Sequence, residues 1–243
     1  MSGIRYGYRW SLLEFEGFYR MCGRFTLKTP PAEWGQLLLT QLDVSSMVND
    51  WQPRYNVAPT QDIVSILQSD PGVYRAQLMR WGLIPFWSED LTIGSRMINA
   101  RAETLGEKPA FRAPLARRRC AIVADGYYEW QKQGTVKQPF WIHRSGDQLF
   151  AFAGLWESNR KASDHEIVSA TIITSNASDR LASIHDRMPA VLAGDALRAW
   201  LDPTTSAADA LALLQTSREL EFEARPVSTH VNNPRHEDSN CLA

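Results

Sequence analysis

Short segments rich in β-branched and aromatic residues recur along this chain, and they restrict it to a strand-rich fold. Residues 63–67 and 73–81 flank Asp70-Pro71-Gly72, a turn sequence that predicts a β-hairpin. Another strand is predicted around Phe25 and Leu27, where apolar and polar residues alternate. Further strands are predicted at residues 120–124, 140–143, 149–155 and 169–175, with turns between them at Gly126, Gly134 and Gly146.

Helical patterns are fewer. One helix is predicted after Thr29-Pro30, with Trp34, Leu37 and Leu38 on one face. Two more are predicted at residues 195–201 and, after the cap Ser206, at residues 207–214. The segment WQPRYNVAPTQ is predicted to break the chain before the hairpin. Because helices do not alternate with strands, the pattern predicts an α+β fold rather than a doubly wound parallel one.

Length and charge narrow the classes of function. A chain of 243 residues with 44% hydrophobic residues can bury one full core, so a single domain is expected. The net charge of −1 argues against a globally basic surface for nucleic acid, so any such binding has to be local. The 26 basic residues are 21 Arg and 5 Lys. Arginine suits phosphate binding and base stacking, although a GC-rich genome gives the same bias.

The cysteines Cys22, Cys120 and Cys241 are odd in number and far apart, which supports neither a disulfide framework nor a zinc site. We expect a reducing, cytoplasmic setting, with no metal and no cofactor. No run approaches the roughly 20 apolar residues of a membrane span, so no membrane partner is expected. Residues 1–20 lack the apolar core of a secretory signal and are interpreted as a mis-called start or a removable leader. A genuine helix or strand packed on the domain is the alternative.

A second methionine, Met21, is followed directly by Cys22. If translation starts at Met21, its removal leaves a cysteine whose α-amine and thiol have ordinary pKa values of about 8 and 8.5. Both nucleophiles are then available near neutral pH on adjacent carbons. Such a pair can capture an aldehyde first as an imine and then as a five-membered thiazolidine, which an internal cysteine cannot do.

Three further polar residues, Asn99, Glu129 and His185, lie where a strand end or a tight loop would hold them. A lone Glu after an apolar strand is usually solvated, and a lone His is more often structural than catalytic. Glu129, however, lies between two aromatic residues, where desolvation would raise a carboxyl pKa into the range useful for proton transfer. His185 precedes a proline-terminated loop, which is a plausible catalytic placement.

Arginines flank these candidate groups. Arg24, Arg101 and Arg187 each lie one or two residues from one of them, an arrangement that suits a phosphodiester backbone. The run of arginines at residues 117–119 is instead predicted to be a solvated or helix-terminal patch. The loop at residues 82–95 is rich in large apolar groups, which either contact a ligand or close one end of the core.

Eight segments in order resemble the SRAP family, whose members are also called SOS response-associated peptidases or abasic site processing proteins. They are MCGRF, RYNVAPTQ, RWGLIPFW, INARAET, RRCAIVADGYYEW, FAGLWE, TIITSNAS and IHDRMPAVL. The resemblance covers residues 21–231 and leaves residues 1–20 as an extension and residues 232–243 as a polar tail. Residues 228–243 are predicted to be irregular or frayed. The resemblance implies a single α+β domain with a curved, mostly antiparallel sheet or barrel core, peripheral helices and a positively lined cleft.

The resemblance also implies a function and residue roles. The protein would sense abasic sites in single-stranded DNA and shield them in a thiazolidine crosslink, with minor lyase and self-processing peptidase activity. Association with the nucleoid is expected while the protein is crosslinked. Independently of the resemblance, we expect a monomer, because no long amphipathic seam is left over. The catalytic positions are Cys22, Asn99, Glu129 and His185. The DNA-binding positions are Arg24, Arg101, Arg187, Trp81 and Pro59.

Two alternatives from other classes stay open. An N-terminal-nucleophile glutaminase also begins with cysteine and glycine, but it predicts an acceptor-binding domain, for which too little chain follows Leu201. A noncatalytic binder of single-stranded DNA would stack bases on the aromatic residues of WGLIPFW and hold phosphates with arginines. Such a binder would dissociate in hot detergent, whereas a covalent adduct would not.

Overall fold

The computed structural model describes residues 22–37, 42–215 and 220–243. The predictions for residues 1–20, Met21 and Leu38 lie outside them. The strands are β1 (Arg24–Leu27), β2 (Leu42–Asp43), β3 (Arg54–Val57), β4 (Asp62–Asp70), β5 (Val73–Trp81), β6 (Asn99–Arg101), β7 (Arg119–Ala124), β8 (Gly126–Gln133), β9 (Val136–His143), β10 (Phe150–Asn159), β11 (Ile167–Asn176), β12 (Arg187–Pro189), β13 (Val191–Leu192) and β14 (Glu223–Pro226). The α-helices are α1 (Pro109–Arg117), α2 (Gly194–Leu201) and α3 (Ala207–Leu213). Short 3₁₀ helices span Pro31–Leu37, Leu91–Arg96, Ala102–Thr104, Ser145–Asp147, Thr229–Asn232 and Ser239–Leu242.

Most strands form one curved sheet in the order β12-β11-β10-β7-β4-β5-β2, with β13 paired to β10 and β6 paired to β11. Its pairs are antiparallel except those of β5 with β2 and of β11 with β5 and β6. A short pairing of β11 with the end of β5 brings together two strands that lie near opposite edges in this order, which curves the sheet. The predicted α+β class, with a curved, mostly antiparallel core and peripheral helices, is confirmed. Within the described residues, no helix is both long and apolar enough to cross a membrane.

The hairpin predicted around Asp70-Pro71-Gly72 is confirmed by β4 and β5. Asp70 pairs with Val73 across the turn, and Gly72 has a φ of 76°. This φ lies in the left-handed region, where glycine avoids the clash that a Cβ causes. A local sequence signal and a local backbone requirement therefore agree at this turn.

A second sheet has the order β14-β9-β8-β1-β3. The turn predicted at Gly126 is wrong, because Gly126 begins β8 and pairs with Thr26 of β1. A Cβ at Gly126 would overlap the indole of Trp141 on β9. Glycine at this position therefore reflects close packing inside a sheet, not a change of chain direction.

The core has an aromatic part that ties the two sheets together. Phe25 of β1 meets Trp81 and Phe152 edge-to-face, with ring centroids 5.3 Å and 5.7 Å apart. Tyr127 of β8 meets Phe152 in the same way at 6.1 Å. Edge-to-face pairs place the positive ring edge against the negative ring face, which stabilises them beyond the burial of area. This cluster fixes β1 and β8 over the curved sheet.

The helices pack elsewhere on the curved sheet. The predicted helix after Pro30 is a 3₁₀ helix that buries Trp34 and Leu37, and Ser206 caps α3 by accepting from Asp209 N. Helix α1 was not predicted from the sequence. The patch predicted at residues 117–119 is helix-terminal, because α1 ends at Arg117 and Arg118 is its C-cap. The solvated alternative is wrong for Arg119, which is 6% exposed and donates to the carbonyl of Trp200 at 2.7 Å.

The C-terminal segment corrects another prediction. Residues 228–243 are not frayed: Val231 and Cys241 are fully buried in a cluster with Tyr128. The carboxylate of Glu237 accepts the backbone N–H groups of Tyr55 and Asn56 in β3, at 2.6 Å and 2.8 Å. A polar side chain of this segment thus accepts hydrogen bonds from backbone groups of β3, the edge strand of the second sheet. Such bonds make a polar composition compatible with a packed structure.

Candidate active site

Cys22 lies two residues before the first residue of β1 and is 4% exposed. Its carbonyl oxygen accepts a hydrogen bond from Asn99 Nδ2 at 2.9 Å. The antiparallel register of β1 with β8 pairs Arg24 with Tyr128, so the chain before Arg24 runs alongside Glu129. Asn99 of β6, 77 positions further along the chain, and Glu129 of β8 are thereby both brought to Cys22.

Glu129 is 4% exposed, and its carboxylate accepts hydrogen bonds from the thiol and the backbone N–H of Cys22 and from the N–H of Trp130. Burial raises the pKa of this carboxyl to about 7, although positive charge on His185 and these hydrogen bonds oppose the rise. The oxygen Oε1 is buried without a hydrogen-bond partner among the described residues. A carboxyl with a pKa near neutrality can both accept and return a proton.

The Cys22 thiol shares this environment. Its pKa is raised well above the ordinary value, first by burial and then by the charge and the hydrogen bond of Glu129. Burial thus holds the thiol protonated, and the carboxylate that could accept its proton adds to this effect. Deprotonation would require Glu129 to take that proton, not a low intrinsic pKa of the cysteine.

Asn99 occupies the first position of β6, which runs parallel to β11 and pairs Asn99 with Ile172. Its Nδ2 is engaged by Cys22, while its Oδ1 is buried without a partner in the described part of the chain. A buried carbonyl oxygen without a donor is costly. It is available to a donor group that a ligand would bring.

His185 lies in the loop before β12, with 21% of its side chain exposed. Its Nδ1 accepts the backbone N–H of Arg187 at 3.0 Å, so the neutral ring carries its proton on Nε2. Asp186 Oδ1 lies 3.1 Å from the same nitrogen, and the side chain of Asp186 is largely exposed. The charge of His185 acts on Glu129, which places it at the same site.

The predicted DNA-binding arginines differ in their surroundings. Arg24 is 3% exposed, and its Nη1 donates to Asn56 Oδ1 at 2.9 Å and to the carbonyl of Val231 at 2.8 Å. Its contacts therefore join β1 to the C-terminal segment. Arg101, at the end of β6, is exposed to solvent.

Arg187 is held by several acceptors at the start of β12. Its guanidinium donates to both oxygens of Glu103, at 2.6 Å and 2.9 Å, to Asn176 Oδ1 and to the carbonyl of Thr174. A bidentate carboxylate fixes the plane of the guanidinium. The arginine is ordered in advance, but a phosphate would have to replace or share these acceptors.

The remaining predicted DNA contacts lie near the end of β5. Trp81 is 1% exposed and donates to the carbonyl of Ile98 at 2.9 Å, so its ring belongs to the core. Pro59 is partly exposed. In the loop after β5, Phe86 and Trp87 are 54% and 46% exposed, which makes them the solvent-facing aromatic pair of WGLIPFW.

Tyr127 is a residue that sequence reasoning did not assign to the site. Because side chains alternate along a strand, Tyr127 and Glu129 lie on the same face of β8. The hydroxyl is buried without a hydrogen-bond partner among the described residues. Burial raises its pKa well above the ordinary value, and the charges of Cys22 and Glu129 add to this effect. A tyrosine between aromatic core residues gives no local signal of such a position.

The family model described as "SOS response associated peptidase (SRAP)" matches residues 21–234. The chain is 42% identical over 226 residues to "Abasic site processing protein YoaM" of Bacillus subtilis, covering 91% of this chain and 97% of that protein. It is 34% identical over 227 residues to "Abasic site processing protein HMCES" of Xenopus tropicalis, covering 79% of this chain and 66% of that protein.

Solved structures show the same fold. A crystal structure of a protein from Bacteroides thetaiotaomicron superposes with a TM-score of 0.74 at 26% identity, covering 91% of this chain and 98% of that one. A phage-related protein from Bordetella bronchiseptica superposes with a TM-score of 0.66 at 28% identity, covering 85% of this chain and 94% of that one. With a family model that spans most of its length and relatives above 40% identity, the chain belongs to the SOS response associated peptidase (SRAP) family.

Proposed function

We propose that this protein recognises abasic sites in single-stranded DNA and captures them covalently through Cys22. The observation that carries the proposal is the contact of one carboxylate, Glu129, with both the thiol and the backbone nitrogen of Cys22. These two atoms are the nucleophiles of an aldehyde trap once the peptide bond before Cys22 is absent. The names of the relatives, which are called abasic site processing proteins, support this substrate.

Formation of the thiazolidine from Cys22 and the aldehyde needs no cofactor. The Cys22 amine attacks the aldehyde carbon of the open-chain deoxyribose, and loss of one water gives an imine. The sulfur then bonds to the same carbon while the thiol proton passes to the imine nitrogen, which closes the thiazolidine. Glu129 takes and returns protons in both steps, and a pKa of about 7 suits both directions. Ring closure gains from proximity, because both reacting groups belong to one residue.

The neighbouring residues have roles that follow from their positions. His185, with Nε2 free to carry the exchangeable proton, assists opening of the sugar ring. Asn99 orients Cys22 through its Nδ2 and presents its unpartnered Oδ1 to the adduct. Arg101 and Arg187 hold the backbone phosphates beside the lesion, and the exposed rings of Phe86 and Trp87 stack on flanking bases.

The reaction requires a free α-amine at Cys22. The reactive protein lacks residues 1–21, either because translation starts at Met21 and that methionine is removed, or because of self-processing at the junction before Cys22. A minor lyase activity arises by β-elimination when the imine forms but the ring does not close. The protein acts in the cytoplasm as a monomer, associated with the nucleoid while crosslinked.

A denaturing gel with abasic single-stranded DNA tests the proposal. Protein that begins at Cys22 should give a band that resists hot detergent, and Cys22→Ala should abolish it. Cys120→Ala is the matched control, because Cys120 is also a fully buried cysteine but lies in β7. An adduct that survives in Cys22→Ala would disprove the assignment of the nucleophile.

Two further outcomes separate the alternatives. A complex that shifts on a native gel but dissociates in detergent would indicate a noncatalytic binder. Mass spectrometry of active protein from its native source would identify the residue at its N-terminus. An intact peptide bond before Cys22 in protein that forms the adduct would exclude the thiazolidine, since the amine would then be an amide.

A further inference from the structure

The C-terminal segment brings three potential metal ligands together, away from the reactive cysteine. Its two short 3₁₀ helices, Thr229–Asn232 and Ser239–Leu242, pack against each other. The ligand atoms of His230, Asp238 and Cys241 all lie within 4.8 Å of one another. His230 Nε2 is 3.2 Å from Asp238 Oδ2. One imidazole, one carboxylate and one thiol thus converge from both helices.

This set of donors has a definite chemical preference. Nitrogen, oxygen and sulfur together suit Zn²⁺, whereas Ca²⁺ and Mg²⁺ take oxygen ligands. Zinc bonds of about 2.0–2.3 Å place the ligand atoms of a tetrahedral ion somewhat under 4 Å apart. Since no two of the ligand atoms are more than 4.8 Å apart, any pair has to close by at most about 1 Å. The partly exposed side chains of His230 and Asp238 allow such a movement.

The surrounding contacts hold the ligands in place. Asp238 uses Oδ1 to cap the last 3₁₀ helix, accepting from Asn240 N at 2.9 Å, and this leaves Oδ2 directed towards His230. The ring of His236 stacks on that of His230 with centroids 3.8 Å apart. His236 Nδ1 lies 2.8 Å from the carbonyl of His230 and donates to it, which fixes the tautomer of His236. Such outer contacts orient metal ligands and raise affinity.

We propose that His230, Asp238 and Cys241 bind one Zn²⁺ ion, with water in the fourth position on the exposed side. The ion bonds the two 3₁₀ helices to each other. Those helices carry the carbonyl of Val231, which holds Arg24, so the ion stabilises the segment that covers the start of β1. Cysteine spacing does not reveal this site, because only one of its ligands is a cysteine.

Binding of Zn²⁺ and of Co²⁺, whose colour reports thiolate ligation, tests the site directly. The full chain carrying Cys22→Ala removes the other reactive thiol from the measurement. We expect one equivalent of Zn²⁺ by calorimetry, a thiolate charge-transfer band with Co²⁺, and a rise in Tm on adding Zn²⁺. His230→Gln and Asp238→Asn should each weaken Zn²⁺ binding by at least about tenfold, the lower limit seen for loss of outer contacts alone.

The controls separate this site from surface binding and from misfolding. His165→Gln alters an exposed histidine on another hairpin and should leave Zn²⁺ affinity unchanged. Cys241→Ser should abolish the Co²⁺ band. Because Cys241 is buried, circular dichroism must show that this variant is folded. If it is not folded, the variants at His230 and Asp238, which are at least partly exposed, decide the matter. Absence of Zn²⁺ binding, or equal affinity in His230→Gln and His165→Gln, would overturn the proposal.

Discussion

Glu129 allows the most quantitative test of the proposed site. Burial disfavours the ionised carboxylate, which is the form that accepts a proton. Burial raises its pKa from 4.5 to about 7. The folded chain therefore favours the protonated carboxyl of Glu129 more than the unfolded chain does. The stabilisation from this preference is fully present below pH 4.5 and is lost as pH rises through about 7. At about 1.4 kcal/mol for each pH unit, this interval corresponds to about 3 kcal/mol. Glu129→Gln removes the charge at every pH.

The expected result is a stability gain that depends on pH. Glu129→Gln should raise the free energy of unfolding by up to about 3 kcal/mol near pH 8 and by little near pH 4. Urea denaturation of the full chain at both pH values measures this difference, with Glu107→Gln, at an exposed position, as the control. The same variant, prepared to begin at Cys22, should form the DNA adduct roughly 10²–10⁴ times more slowly, since it lacks the proton acceptor. An equal change in stability at both pH values would refute this assignment of charge and burial.

Three other substitutions test the packing of the second sheet. Gly126→Ala should lower the free energy of unfolding by about 1–3 kcal/mol, because its Cβ would overlap Trp141; an unchanged Tm would contradict the close approach. Tyr127→Phe should raise the free energy of unfolding by about 1–3 kcal/mol, since it removes a buried hydroxyl without a partner among the described residues; a loss of stability in denaturant would instead show that the hydroxyl is bonded. Glu237→Ala should increase hydrogen exchange at the amides of Tyr55 and Asn56 in β3, because it removes the carboxylate that accepts their hydrogen bonds. Unchanged protection of these two amides would argue against the packed C-terminal segment.

The strands that could be predicted from the sequence are those with a local pattern. Strands β4, β5, β7 and β10 are long or largely apolar and are separated by turn residues, so neighbouring positions suffice to identify them. Strand β3 was missed because it lies in a proline-rich polar segment and is completed by Glu237, about 180 residues away. Helix α1 was missed because Pro109 and Pro114 weaken the helical pattern.

The same distinction applies to the candidate site. Cys22, Asn99, Glu129 and His185 stand in short, specific motifs and could be named from the sequence. The burial of Arg24 could not, because one of its acceptors is a main-chain carbonyl at Val231, 207 positions away. Main-chain acceptors carry no residue signature, so only the tertiary structure reveals that this guanidinium joins two segments.

Strand β8 separates the reactive site from the C-terminal segment. Alternate side chains of one strand face opposite sides, so Glu129 faces Cys22 while Tyr128 is buried against Val231 and Cys241. A genetic screen for loss of function should therefore recover alleles in the last 16 codons that leave every reactive side chain intact. Suppressors of such alleles should map to the cluster around Tyr128, where they restore the position of β8, and not to the reactive residues themselves.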